Sequence, residues 1–195
     1  MSFIKKYGYL LECKQGTMVK KVGVFCSASD TVDAIYFESA YRFGEWLGKT
    51  GRTMIYGGTA LGLMEQTARA AKENGGHVIG VLPSILEKEG LGSSFCNQML
   101  YTNDLSDRKD MILKGSDVLI ALPGGIGTLD EVFHVMAAAS VGYHHKKIIF
   151  YNINGFYNKL LSLLDDLKAN HFITGSPSDY YDVANTFEEL TLFLI

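Results

Sequence analysis

The sequence has little sulfur chemistry to offer. Its three cysteines, Cys13, Cys26 and Cys96, form an odd set with no CxxC pair. That argues against a disulfide framework or a zinc site and for three reduced thiols. No apolar run approaches the ~20 residues a membrane helix needs, so no membrane partner is expected. Met1–Thr17 mixes Lys, Glu and Gln with aromatics. It has neither the apolar stretch nor the small-residue cleavage site of a secretory signal, and a cytoplasmic location is expected. Residues 1–17 read as an N-terminal tail, or as an upstream start, beside one domain of residues 18–195. The 18 basic residues are scattered and the formal charge is −3, so the basic stripe of a nucleic-acid binder is missing. There is no HExxH and no nucleophile–base arrangement, and His144 and His145 lack a partner at ligand spacing, as in a solvated turn. No metal is expected.

What is present is an ordinary globular composition, 47% hydrophobic and 20% charged, in which strand-like and helix-like segments alternate. Short apolar runs at 22–25, 53–56, 77–82, 98–101, 117–121, 147–151 and 180–184 read as strands. Helical spacing marks Asp33–Lys49, closed by Gly51, and Leu63–Glu73, closed by Asn74-Gly75-Gly76. It also marks Ser106–Lys114 with Ser106 as N-cap, Leu129–Ala139, Phe156–Ala169, and a last helix capped by Thr186. Residues 84–97 read as an irregular surface loop. The expected fold is α/β: a Rossmann-like doubly wound sandwich, a mostly parallel sheet of about seven strands with helices on both faces.

In such a sheet ligands bind beyond the carboxyl ends of the strands. Three strand ends carry small residues: Ser27-Ala28-Ser29, Gly57-Gly58-Thr59, and Pro123-Gly124-Gly125-Ile126-Gly127-Thr128. In the last, glycines let the backbone approach a ligand, the following helix presents free N–H groups to a phosphate, and Thr128 adds a hydroxyl. It is not a Walker A loop, for no Lys follows, and it does not match GxGxxG. Glu131 reads as a first-turn acid that the helix dipole keeps ionised, suited to stabilising an oxocarbenium-like centre or activating water. Asp130 points about 100° away and reads as a solvated residue. Arg108-Lys109 fits either balanced surface charge or a guanidinium aimed at the cleft. Met64 fits either the core or contact with a flat base.

These residues together resemble a known family. Leu122-Pro-Gly-Gly-Ile-Gly-Thr-Leu-Asp-Glu131 matches the PGGxGTxxE signature of the LOG ("lonely guy") family of cytokinin riboside 5'-monophosphate phosphoribohydrolases. Val24-Phe-Cys26, Tyr56-Gly-Gly58, Gly62-Leu-Met64, Val78-Ile-Gly80, Arg108-Lys109 and Met111 fall in the same order. The resemblance implies hydrolysis of the N-glycosidic bond of AMP or an N6-substituted AMP to free base and ribose 5-phosphate. It implies Arg108 and Glu131 as the catalytic pair. It implies Pro123, Gly124, Gly125, Gly127 and Thr128 as the phosphate loop, and Gly57, Gly58, Met64, Glu89 and Lys109 as further substrate-binding residues. It implies no cofactor, and a homodimer or larger homo-oligomer. Many relatives carry the label "lysine decarboxylase", but nothing in the sequence marks a pyridoxal phosphate lysine. The chain departs from the pattern at Ser27-Ala28-Ser29, Thr59, Glu65 and Ala137–Ser140, where the base and a partner subunit would lie. Molybdenum-cofactor carriers share a comparable loop, so a non-enzymatic carrier of a nucleotide-like ligand is the alternative. A DNA-binding relative would need the basic face that is missing.

Overall fold

The apolar runs form strands because both of their faces are covered. Val22, Val24 and Phe25 are all buried in one strand, the mark of a parallel sheet sandwiched between helices. The computed structural model describes residues 19–195, so the expected 1–17 tail lies outside the described residues. The elements are β1 (Lys21–Phe25), α1 (Ala34–Lys49), β2 (Thr53–Tyr56), α2 (Gly62–Glu73), β3 (His77–Pro83), α3 (Ser84–Lys88) and β4 (Gln98–Thr102). They continue with α4 (Leu105–Gly115), β5 (Val118–Ala121), α5 (Ile126–Ser140), β6 (Ile148–Tyr151), α6 (Asn158–Ala169), β7 (Tyr181–Ala184) and α7 (Phe187–Leu192). The seven strands lie in the order β4-β3-β2-β1-β5-β6-β7. Every neighbouring pair in the sheet is parallel.

One apolar core packs α1, α2 and α7 against the sheet through Phe43, Leu47, Leu63, Ala68 and Leu190. A second packs α4, α5 and α6 against the other face through Ile112, Val132, Val135 and Leu164. This is the doubly wound sandwich expected. Strand order reverses between β1 and β5. The crevice beyond their carboxyl ends is the switch point at which this class of fold binds ligands.

Several boundaries differ from the sequence reading, each for a physical reason. Residues 84–88 form a helix, α3, inside the expected loop; none of its residues is buried, so it has no apolar periodicity to read. The cap of α4 is Asp104, not Ser106. The Asp104 carboxylate accepts from the Ser106 and Asp107 amides at 2.8 and 2.9 Å. Helix α5 begins at Ile126, three residues before expected, so half of the glycine stretch is its first turn. Thr186 does cap α7, its hydroxyl accepting from the Glu189 amide at 3.1 Å. Gly51 ends α1 in the left-handed region with φ 67°.

Candidate active site

Three loops meet at the switch point, and they do different work. The loop after β1 serves α2: the Ser27 carbonyl accepts from the Leu63 amide at 2.9 Å, and Asp30 Oδ1 accepts from the Gly62 amide at 2.8 Å. The first turn of α2 is therefore already satisfied. The loop after β2 serves a side chain from elsewhere. The guanidinium of Arg108, reaching over from α4, lies where a Cβ on Gly57 would be, beside the methyl of Met64. Its Nε donates to the Val81 carbonyl at 3.2 Å. Gly57 is thus glycine for space: any side chain would meet Arg108.

The loop after β5 is the open one. Pro123 is buried, and its carbonyl accepts from the Ser27 amide at 3.1 Å. A Cβ on Gly124 would strike the buried side chain of Thr128, which packs beneath the turn. Gly125 and Gly127 are exposed, and a Cβ on either would meet nothing. Among the described residues no group accepts from the amides of Ile126, Gly127 or Thr128. Free amides at the start of a 15-residue helix, on the positive end of its dipole, suit a phosphate.

Next to that helix start the charge is concentrated and dry. Glu131 Oε1 lies 2.9 Å from Arg108 Nη1, with both side chains largely buried. The approach is off the line of any guanidinium N–H, so Oε1 takes no directed hydrogen bond. Burial pushes the Glu131 carboxyl up to about 7, against the lowering pull of Arg108; Asp130 raises it further and Lys109 lowers it. Two expectations are corrected here. Glu131 stands beyond the first turn of α5, which holds no acid. Its carboxyl is also raised and not held low, because burial outweighs the pull of Arg108 and Lys109. Asp130 is corrected as well: half-exposed, it binds Lys109 Nζ through both oxygens at 2.8 Å.

Of the other expected residues, Met64 is buried and its Sδ accepts from the Thr59 hydroxyl at 3.1 Å. It belongs to the core yet presents its methyl to the Gly57 floor. Gly58 sits at φ 77° and its carbonyl accepts from the Ser93 amide at 2.9 Å. Among the described residues, Glu89 makes no hydrogen bond or ion pair with those of the site. It is exposed at the end of α3, while the residues after it are pinned to the rim by Ala60 N–H to the Leu91 carbonyl at 2.8 Å. Sequence reasoning missed Thr59, Val81 and Asp130 as partners, and Cys26 as a neighbour. The Cys26 thiol is buried and held protonated by burial and by the charge of Glu131. Nothing in local sequence reveals these contacts, since each joins residues far apart in the chain or depends on a buried rotamer. Among the described residues no helix is long and apolar enough to cross a membrane.

Comparison with known proteins gives one family and one fold. The family model described as possible lysine decarboxylase matches residues 64–193. A cytokinin riboside 5'-monophosphate phosphoribohydrolase of Arabidopsis thaliana is 34% identical over 179 residues, 92% of this chain and 83% of that protein. Another from the same plant, of the same name, is 35% identical over 172 residues, 88% of this chain and 75% of its own. Among solved structures, the molybdenum cofactor binding protein of Rippkaea orientalis superposes with a TM-score of 0.68 at 22% identity. The match covers 91% of this chain and 96% of that one. The molybdenum cofactor carrier protein of Chlamydomonas reinhardtii superposes with a TM-score of 0.68 at 23% identity, over 88% and 93%. At that identity the two structures speak for the fold alone.

Proposed function

The chain belongs to the LOG family, and from that membership and the geometry of the site we propose that it is a nucleoside 5'-monophosphate phosphoribohydrolase. Its substrate is AMP or an N6-substituted AMP, and its products are the free base and ribose 5-phosphate. The observation that carries this reading is the enclosed carboxyl of Glu131, with a pKa of about 7 and set against Arg108 one helix turn from an open phosphate-binding helix start.

The 5'-phosphate sits on the amides of Ile126, Gly127 and Thr128. That anchor brings the anomeric carbon to Glu131 and Arg108, and leaves the base over Gly57, Gly58 and Met64. The C1'–N9 bond breaks with its electron pair going to the base, and positive charge gathers on the ribose ring. Glu131, ionised, faces that charge and takes the proton of the water whose oxygen bonds to C1'. A proton returned to the base completes the hydrolysis. Arg108 keeps the carboxyl from rising beyond reach of neutral pH. A decarboxylase would need a lysine held for a Schiff base, whereas Lys109 is committed to both oxygens of Asp130. The carrier reading draws on the shared fold, but a carrier has no use for a desolvated proton-holding group beside its anion site. A cytoplasmic homodimer or larger assembly, with no nucleic-acid partner, completes the proposal.

The test is release of free base from AMP and from N6-isopentenyl-AMP, by wild type and by Glu131→Gln, with ribose 5-phosphate as the second product. Release by wild type alone is expected. No release from either nucleotide would sink the hydrolase and favour the carrier.

A further inference from the structure

The open phosphate loop must be held from behind, because a turn through Pro123-Gly124-Gly125 has little stiffness of its own. Its inner peptide groups are tied at successive residues. The Pro123 carbonyl accepts from Ser27, and the Leu122 amide donates to the Phe25 carbonyl at 2.9 Å. The Leu122 carbonyl, just before the turn, has a partner of another kind: the hydroxyl of Tyr157, donating at 2.6 Å.

Tyr157 is fully buried and built into place. Two residues in the left-handed region, Asn154 at φ 51° and Gly155 at φ 70°, turn the chain after β6. The Tyr157 amide then donates to Asn152 Oδ1 at 2.8 Å. The Asn152 amide group is itself bound to Asn158 and Asn185, each at 2.9 Å. The ring is wedged between Phe150 and Phe156, with centroids 4.8 and 4.9 Å away. Burial, with the neighbouring Cys26 and Glu131, pushes the phenol well above its ordinary range, so it is protonated, and able to donate, at neutral pH. The hydroxyl donates to the carbonyl from which the turn departs.

We propose that Tyr157 is the positioning residue of the phosphate loop: its hydroxyl fixes the Leu122–Pro123 peptide and thereby the orientation of the free amides that follow. The proposal rests on the reading that this loop holds the substrate phosphate. Removing the hydroxyl leaves the Leu122 carbonyl buried without a donor, a loss the turn can relieve only by moving.

The test compares the binding of AMP and of adenosine by calorimetry in a Glu131→Gln background, which does not turn AMP over, with residues 156 and 157 as in wild type or carrying Tyr157→Phe or Phe156→Leu. The Glu131→Gln parent should prefer AMP. Tyr157→Phe, which keeps the ring, should bind AMP about tenfold more weakly and adenosine as before. Phe156→Leu loosens the same aromatic stack without touching the hydroxyl; it should lower the melting temperature and leave the AMP-to-adenosine ratio alone. An unchanged ratio in Tyr157→Phe, or an equal change in Phe156→Leu, would overturn the assignment. A Glu131→Gln parent that binds adenosine as tightly as AMP would overturn the phosphate site itself, and this proposal with it.

Discussion

Nη2 of Arg108 occupies the space a side chain on Gly57 would fill. Gly57 comes from the end of β2 and Arg108 from α4, so a glycine on one element sets the position of a cation on another. The backbone at Gly57 is outside the left-handed region, and what a methyl would meet are two flexible side-chain ends, Arg108 and Met64. Gly57→Ala should therefore fold, with a melting temperature close to wild type. It should lower kcat/KM for AMP by about 100-fold, because a displacement near 1 Å at the reacting centre is that costly. Steady-state kinetics beside a thermal melt checks both halves, and undiminished activity would remove the guanidinium from the mechanism.

The rate should depend on pH through Glu131. Acting as a base it must be ionised, so kcat/KM should rise with pH around a midpoint of about 7 and then level off. Two neighbours pull that midpoint in opposite directions. Arg108→Gln removes a charge that lowers the pKa, so the residual activity should rise at higher pH than wild type. Asp130→Asn removes a charge that raises it, so the limb should move to lower pH. Shifts in the same direction would mean that some other group titrates.

The same carboxyl predicts a trade between stability and function. Its folded pKa, about 7, lies above the ordinary 4.5, so the fold favours the protonated form. The contribution to stability is full below pH 4.5 and is lost as pH rises through 7. Glu131→Gln keeps the neutral shape at every pH. Its stability gain over wild type should be absent at pH 4 and reach about 1–3 kcal/mol at pH 8, while its turnover is abolished. Denaturant melts at the two pH values would read the difference directly, and an equal gap at both would contradict the desolvated carboxyl.

The fold was legible because its evidence is local: apolar runs, caps and glycine stops lie within a few residues of one another. So was the loop at 123–128, whose glycines stand together beside a strand. What escaped the sequence was every property set by burial. A helix start carries the same residues whether its acid is wet or dry, so Glu131 read as an ordinary ionised acid. It is burial between α4 and α5, more than the neighbouring charges, that raises its pKa. Asp130 read as idle because Lys109, its partner, is 21 residues away. Residues 84–88 read as loop because α3 buries nothing and so leaves no pattern.

A last prediction separates the phosphate site from the fold that builds it. Gly127 is the second residue of α5, exposed, with open space where a Cβ would stand. An aspartate there faces the positive end of the helix dipole, worth about 0.3–1 kcal/mol, and replaces a glycine that costs the helix a similar amount. Gly127→Asp should therefore be as stable as wild type or more so. Yet its carboxylate would stand among the very amides the phosphate needs. Two like charges about 4 Å apart near a protein surface repel by several kcal/mol, enough to raise KM for AMP by about 100-fold even after screening. Adenosine, which has no phosphate, should lose nothing. A variant that melts higher, binds adenosine as before and no longer holds AMP would show that the glycine is kept for the ligand and at the expense of the helix. One that melts higher and still holds AMP would put the phosphate elsewhere on the rim.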